Sequence, residues 1–158
     1  MPPKPFYDLD KIDTNNVIAD QEAIYALNPH RYEFMLLDGI LHYDEPGNIV
    51  VGYRDCKEEE FWVRGHIPGR PLFPGVLMIE TAAQLVSYYA LKATGKTDAF
   101  LGFAGVTDVK FRGQVVPGDK MVLVGKILDT RSRRCVGEVQ GYVGDQQVFQ
   151  GKITGMWL

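Results

Sequence analysis

The sequence predicts an α+β domain in which an antiparallel β-sheet packs against one long buried helix. Three observations lead there. Positions 76–91 hold no Pro or Gly and are rich in Leu, Met, Ala, Glu and Gln, which favour helix. The apolar side chains on that stretch, from Val76, Leu77, Met78 and Ile79 to Tyr88, Tyr89, Ala90 and Leu91, cannot fit on one stripe. A helix apolar all round is buried, either in a fold or in a membrane. Long strand-like segments then follow one another, an order that builds an antiparallel sheet with the helix on one face. A membrane span needs roughly 20 mostly apolar residues without a charge. This helix, expected over about 75–92, is shorter and carries Glu80 in its first half. It reads as the central helix of a soluble domain.

In chain order, residues 1–18 are polar and Pro-containing and read as a loosely held N-terminal extension. Asp20 to Leu27 reads as a short helix ending before Asn28-Pro29. In the next segment, Pro29-His30-Arg31-Tyr32-Glu33-Phe34, His30 and Arg31 are expected to make structural contacts near the helix exit. Phe34–Tyr43 and Ile49–Arg54 read as strands joined by a turn over Asp44–Asn48. Cys56–Glu60 is charged and expected in solvent, with Phe61 or Trp62 either near a site mouth or in the core.

Five Pro and Gly residues between Pro68 and Gly75 rule out a helix or central strand there, and Pro74-Gly75 suits the entry of the long helix. Thr94-Gly95-Lys96 stops that helix. Ala99–Val106, Val109–Arg112, Met121–Leu128, Cys135–Val143 and Val148–Trp157 read as strand segments, with turns at Arg131-Ser132-Arg133 and Gly144-Asp145.

The 158 residues, 46% hydrophobic and 23% charged, suit a single domain over 1–158. A formal charge of −3 gives no argument for nucleic-acid binding. Cys56 and Cys135 stand far apart, and His30, His42 and His66 are scattered, so no metal site is expected. No secretory signal or transmembrane run is visible, which makes a reducing cytoplasm the expected setting.

The polar residues of the long helix either reach water as a solvated face or carry chemistry, and the loop in front favours the second. Glu80, Gln84 and Ser87 share one face, and a buried carboxylate needs a partner or loses its charge. His66 lies on the stiff loop in front, with free helix N–H groups between it and Glu80. Such a set can supply a base, an acid and an oxyanion site.

The stretch GHIPGRPLFPGVLMIETAAQ, from Gly65 to Gln84, resembles the GHFPGxPxxPGVLxxE…AQ signature of the 3-hydroxyacyl-acyl-carrier-protein dehydratases that use a His/Glu pair. Two further blocks resemble the same family: Pro29–Asp38 its PHRxPFLLxD segment, and Phe103–Asp119 its FxGIDxxRFRxPVxPGD block. The resemblance covers roughly Pro29 to Thr154. It departs at Glu33 for a proline, Ile67 for Phe and Thr81 for Ala.

The resemblance implies the hot-dog fold and the dehydration of a (3R)-3-hydroxyacyl thioester on acyl carrier protein, as in fatty acid biosynthesis. Neutral His66 would take the C2 proton, and Glu80 would assist loss of the C3 hydroxyl. The N–H groups of Gly75 and Val76 would stabilise the carbonyl oxygen. Gln84 would orient Glu80 or its water, or else bond the backbone of a neighbouring segment. No metal or organic cofactor is needed, because the thioester itself acidifies C2.

The family builds its site across a dimer, so His66 of one subunit would face Glu80 of the other, and many relatives join three dimers as a hexamer. Phe73, Val76, Phe103 and Phe111 are the acyl-tunnel candidates. Lys110, Arg112, Arg131, Arg133 and Arg134 are candidates for contact with the acidic carrier. The alternatives are a non-catalytic acyl-thioester-binding module and a dehydratase of a specialised lipid or polyene pathway. Isomerising relatives carry Asp where Glu80 stands, and the GDxNPxH run of coenzyme A hydratases is absent.

Overall fold

A 20-residue helix, α2 (Gly75–Thr94), runs through the middle of a single curved sheet in the computed structural model, which describes residues 2–96, 98–131 and 133–158. The strands are β1 (Gly39–Asp44), β2 (Ile49–Asp55), β3 (Leu101–Phe111), β4 (Lys120–Thr130), β5 (Arg134–Val143) and β6 (Gln146–Trp157). They lie in the order β1-β2-β4-β5-β6-β3, and every neighbouring pair is antiparallel. The short helix α1 (Gln21–Tyr25) precedes them, capped by Asp20, whose side chain accepts the Ala23 N–H at 3.0 Å. The α+β architecture is the one the sequence predicts. No described helix is long and apolar enough to cross a membrane.

Helix α2 starts after Pro74 and ends at Gly95, whose φ of 66° is the left-handed stop that glycine adopts without strain. Its middle is buried on all sides: Met78, Ala82, Leu85, Val86, Tyr88, Tyr89, Ala90 and Leu91 are shielded. The sheet admits the helix through missing side chains. A Cβ at Gly52 of β2 would meet Leu85 at 2.9 Å, and one at Gly137 of β5 would meet Val86 at 3.0 Å. The main core fills the space between, with Phe149, Leu123, Met121 and Ile153 facing the helix side.

The outer face of the sheet has a second, smaller apolar cluster of Leu41, Ile49, Val51, Val124 and Tyr142. Phe6, Tyr7, Leu9 and Ile12 pack over it. The Phe6 N–H donates to Gln140 Oε1, and Gln140 Nε2 donates to the Lys4 carbonyl, both at 3.0 Å. Residues 4–12 of the expected loose extension thus have defined contacts on the sheet.

Three local expectations change. Phe34–Tyr43 is not one strand: Tyr32–Phe34 is a 3₁₀ turn and β1 begins only at Gly39. The N–H groups of Leu36 and Leu37 donate to the Gln84 side chain rather than to a strand. Ala99–Val106 and Val109–Arg112 merge into β3, whose register on β6 shifts between Phe103 and Gly105 and between Thr107 and Lys110, with Asp108 at φ 54°. Within Cys56–Glu60 only Lys57, Glu58 and Glu59 are exposed. The Glu60 side chain is 12% exposed and pairs with buried Arg54. Of the expected turn 131–133, Ser132 lies outside the described residues.

Candidate active site

The chain connects β2 to α2 over 56–74, and the loop 61–74 within it carries His66. Trp62 anchors its start: 4% exposed, it meets Phe73 edge-on with ring centroids 5.4 Å apart. Arg54 lies 5.5 Å above the Phe73 ring and pairs with Glu60. Phe73 donates its N–H to the Val115 carbonyl at 2.8 Å, which closes the loop's far end. Phe61, by contrast, points to solvent.

Within that frame the His66 N–H donates to the Trp62 carbonyl at 2.8 Å, and the Leu72 N–H donates to the His66 carbonyl at 3.2 Å. The His66 ring places Nδ1 2.8 Å from the Leu72 carbonyl oxygen. A carbonyl only accepts, so Nδ1 carries the proton and Nε2 keeps its lone pair. The side chain is exposed. This is a histidine set up to receive a proton at Nε2.

Glu80 lies in the second turn of α2, its side chain 22% exposed. Gln84, one turn further on and fully buried, donates from Nε2 to Glu80 Oε1 at 3.1 Å and to the Phe34 carbonyl at 2.7 Å. Its own Oε1 accepts the N–H groups of Leu36 and Leu37 at 3.0 and 3.1 Å. Gln84 therefore bonds the Glu80 carboxyl and the neighbouring backbone at once. His30 Nε2 also approaches Glu80 Oε1, at 3.3 Å. Gln84 Nε2 and His30 Nε2 thus both lie against Oε1, while Oε2 has no protein donor among the described residues. A small cleft lined by His30, Glu80, Ala83, Ser87, Leu101 and Phe103 lies beside the carboxyl.

The start of α2 supplies a third feature. Leu77 and Met78 both donate their N–H groups to the Pro74 carbonyl, whereas those of Gly75 and Val76 find no acceptor among the described residues. Val76 is 71% exposed. Phe111 of β3 lies against Gly75 so closely that a Cβ there would be 2.9 Å from the ring.

Other expected residues divide. Phe103 and Phe111 are about half exposed on the edge strand β3, open to a ligand or a partner. Phe73 is 3% exposed and belongs to the core that fixes the loop. Among the basic residues, Arg112 donates to Gln150, and Arg131 and Arg134 both pair with Asp129. Thr81 turns its hydroxyl onto the Leu77 carbonyl at 2.7 Å, away from the carboxyl of Glu80, and Ile67 is exposed. His66 and Glu80 of one chain make no contact within 4.0 Å.

Arg31 makes the contacts expected at the helix exit, donating to the carbonyls of Tyr25, Asn28 and His30. His30 does not stop there, because its ring reaches Glu80. The sequence placed both residues in one segment but held no signal for that difference. Burial pushes the thiols of Cys56 and Cys135 up to about 12, which removes them as nucleophiles. Burial also lifts the Asp38 carboxyl above the ordinary carboxylate range, although the Asp55 N–H and Arg54 pull it down. Among the described residues no three His, Cys, Asp or Glu side chains are grouped to hold a metal.

Comparison with known proteins gives a consistent family. Residues 28–152 match the FabA-like domain family. A 3-hydroxyacyl-acyl-carrier-protein dehydratase FabZ of Desulfotalea psychrophila is 38% identical over 138 residues, 85% of this chain and 90% of that protein. The proteins of the same name from Clostridium kluyveri and Cronobacter sakazakii are 34% and 38% identical, covering 93% and 85% of those proteins and 85% and 84% of this chain. Among solved structures, the dehydratase heterocomplex ApeI:P of Xenorhabdus doucetiae superposes with a TM-score of 0.72 at 15% identity, covering 85% of this chain and 90% of that one. The virulence protein Cj0977 of Campylobacter jejuni gives 0.63 at 16%, with 94% of both chains covered. These structural likenesses establish the fold, a sheet around a central helix.

Proposed function

Because the chain belongs to the FabA-like domain family, we propose that it dehydrates (3R)-3-hydroxyacyl thioesters on acyl carrier protein to trans-2-enoyl thioesters, in fatty acid biosynthesis. The observation that carries the reading is the His66 ring, whose Nδ1 is engaged by the Leu72 carbonyl and whose Nε2 is left as a free base. Binding alone requires no such group.

The reaction moves two protons. His66 Nε2 takes the C2 proton, and negative charge grows on the thioester oxygen. The open N–H groups of Gly75 and Val76 receive that charge at the positive end of α2. The C3–O bond breaks as Glu80 gives a proton from Oε2 to the departing hydroxyl, which leaves as water. His66 then returns a proton to Glu80 through that water, and the site is reset.

His66 and Glu80 act across two subunits in this reading. In its support, the two residues do not meet within one chain. Among the described residues the outer edge of β3 has no strand partner, and it presents Phe103 and Phe111. These rings and Val76 would line the acyl path, and Lys110, Arg112, Arg131, Arg133 and Arg134 would face the carrier. Mixing inactive His66→Ala and Glu80→Gln subunits then restores part of the activity, because each hybrid dimer holds one intact site.

The direct test is enoyl-thioester absorbance with 3-hydroxybutyryl carrier protein as substrate. Wild type forms the enoyl product, and His66→Ala and Glu80→Gln each fall by about 10²–10⁴-fold. A wild type that binds the acylated carrier without turning it over would make the chain a binding module and overturn the assignment.

A further inference from the structure

We propose that His30 is a positioning residue for Glu80, a neutral ring that directs the reactive face of the carboxyl onto Oε2. The proposal rests on the dehydratase reading and extends it to a residue outside the His66–Glu80 pair.

His30 Nε2 lies 3.3 Å from Glu80 Oε1, the oxygen that already accepts from Gln84. The opposite ring nitrogen, Nδ1, is buried with no hydrogen-bond partner among the described residues. A proton there would be a stranded donor in the interior, and on a charged ring the cost would be larger still. The ring is therefore neutral and carries its proton on Nε2, where it donates to Glu80. With two N–H donors on Oε1, a proton on that oxygen would oppose both. The carboxyl's own proton is directed to Oε2, the oxygen left open for the departing hydroxyl. His30 is held for this work by its backbone: Arg31 Nη1 ties the carbonyls of Asn28 and His30 together, at 2.9 and 2.7 Å. Asn28 in turn donates to the Gln84 carbonyl on α2 at 3.0 Å.

The experiment compares His30→Ala and His30→Gln, the latter keeping an N–H donor near the Nε2 position, in the full-length protein with 3-hydroxybutyryl carrier protein. His30→Ala is expected to lower kcat by about 10- to 100-fold with KM nearly unchanged, as for a misaligned catalytic group. His30→Gln is expected to restore most of kcat. In a Glu80→Gln background, His30→Ala should cost little more. Equal loss in both variants together with a lowered Tm would make His30 a structural residue and overturn the proposal, as would an unchanged kcat in His30→Ala.

A wild type without turnover would instead refute the dehydratase reading. The His30 contact is then decided by carbon-13 NMR of the Glu80 carboxyl. A resonance moved by His30→Ala and returned by His30→Gln supports it, and an unmoved resonance overturns it.

Discussion

The two halves of the candidate site are held in opposite ways. Glu80 is set on a buried helix, inside a network that includes Gln84, His30 and the backbone of residues 34–37. His66 is exposed on a loop, and one carbonyl orients its ring. The loop's order comes from its ends, where Trp62, Phe73 and the Arg54–Glu60 pair enter the core. The contrast fits two tasks. In the proposed reaction, a carboxyl that must present one oxygen to the substrate gains from contacts that fix the other. A base that meets a substrate brought by a partner must stay reachable, so its rigidity has to be supplied from a distance.

That contrast can be tested by breaking each support. The largest effect is expected from Gln84→Leu, which strands the N–H groups of Leu36 and Leu37 and the Phe34 carbonyl. At about 1–3 kcal/mol for each buried group left unpaired, the loss is about 5 kcal/mol, read from urea unfolding. Glu60→Ala comes next. It leaves the buried Arg54 guanidinium only the more distant Asp38 carboxylate, at 3.9 Å, at a cost of about 3 kcal/mol. The damage should concentrate in the loop, so proteolysis within 61–74 should rise before global unfolding does. If the loop stays resistant, the Arg54–Glu60 pair is not what holds His66.

The smallest effect comes from a region outside both halves. In the folded chain the Cys135 thiol ionises only near about 12, against 9.0 in the unfolded chain. The unfolded state therefore releases this proton first as pH rises. Stability is whole below about pH 9 and falls between about 9 and 12. Cys135→Ala should flatten that fall when urea midpoints are compared at about pH 8 and pH 10. An unchanged slope would mean the thiol is not shielded as its burial implies.

Legibility followed the range of the interactions. Helix α2 was readable because its signals are local: helix-favouring residues, a Pro74-Gly75 entry and a Gly95 stop. The later strands were readable from alternation and turn residues. The 66–80 spacing, on which the proposed chemistry rests, was readable for the same reason. The break in Phe34–Tyr43 could not be read, because its amide groups answer to a side chain 47 residues away, Gln84 with Leu37. Glu60 looked like one more solvated charge beside Glu58 and Glu59, since only the fold brings Arg54 to it.

The sequence by itself determined the long helix, the order of helix and later strands, and the residue types proposed for acid, base and oxyanion chemistry. These depend on backbone preference and on spacing along one helix. Only the tertiary structure decided the His66 tautomer, which Glu80 oxygen is free, and that His30 joins the carboxyl while Phe73 retires to the core. Each of those depends on which groups meet across loops and strands, and hydrogen bonds and burial are properties of meetings in space.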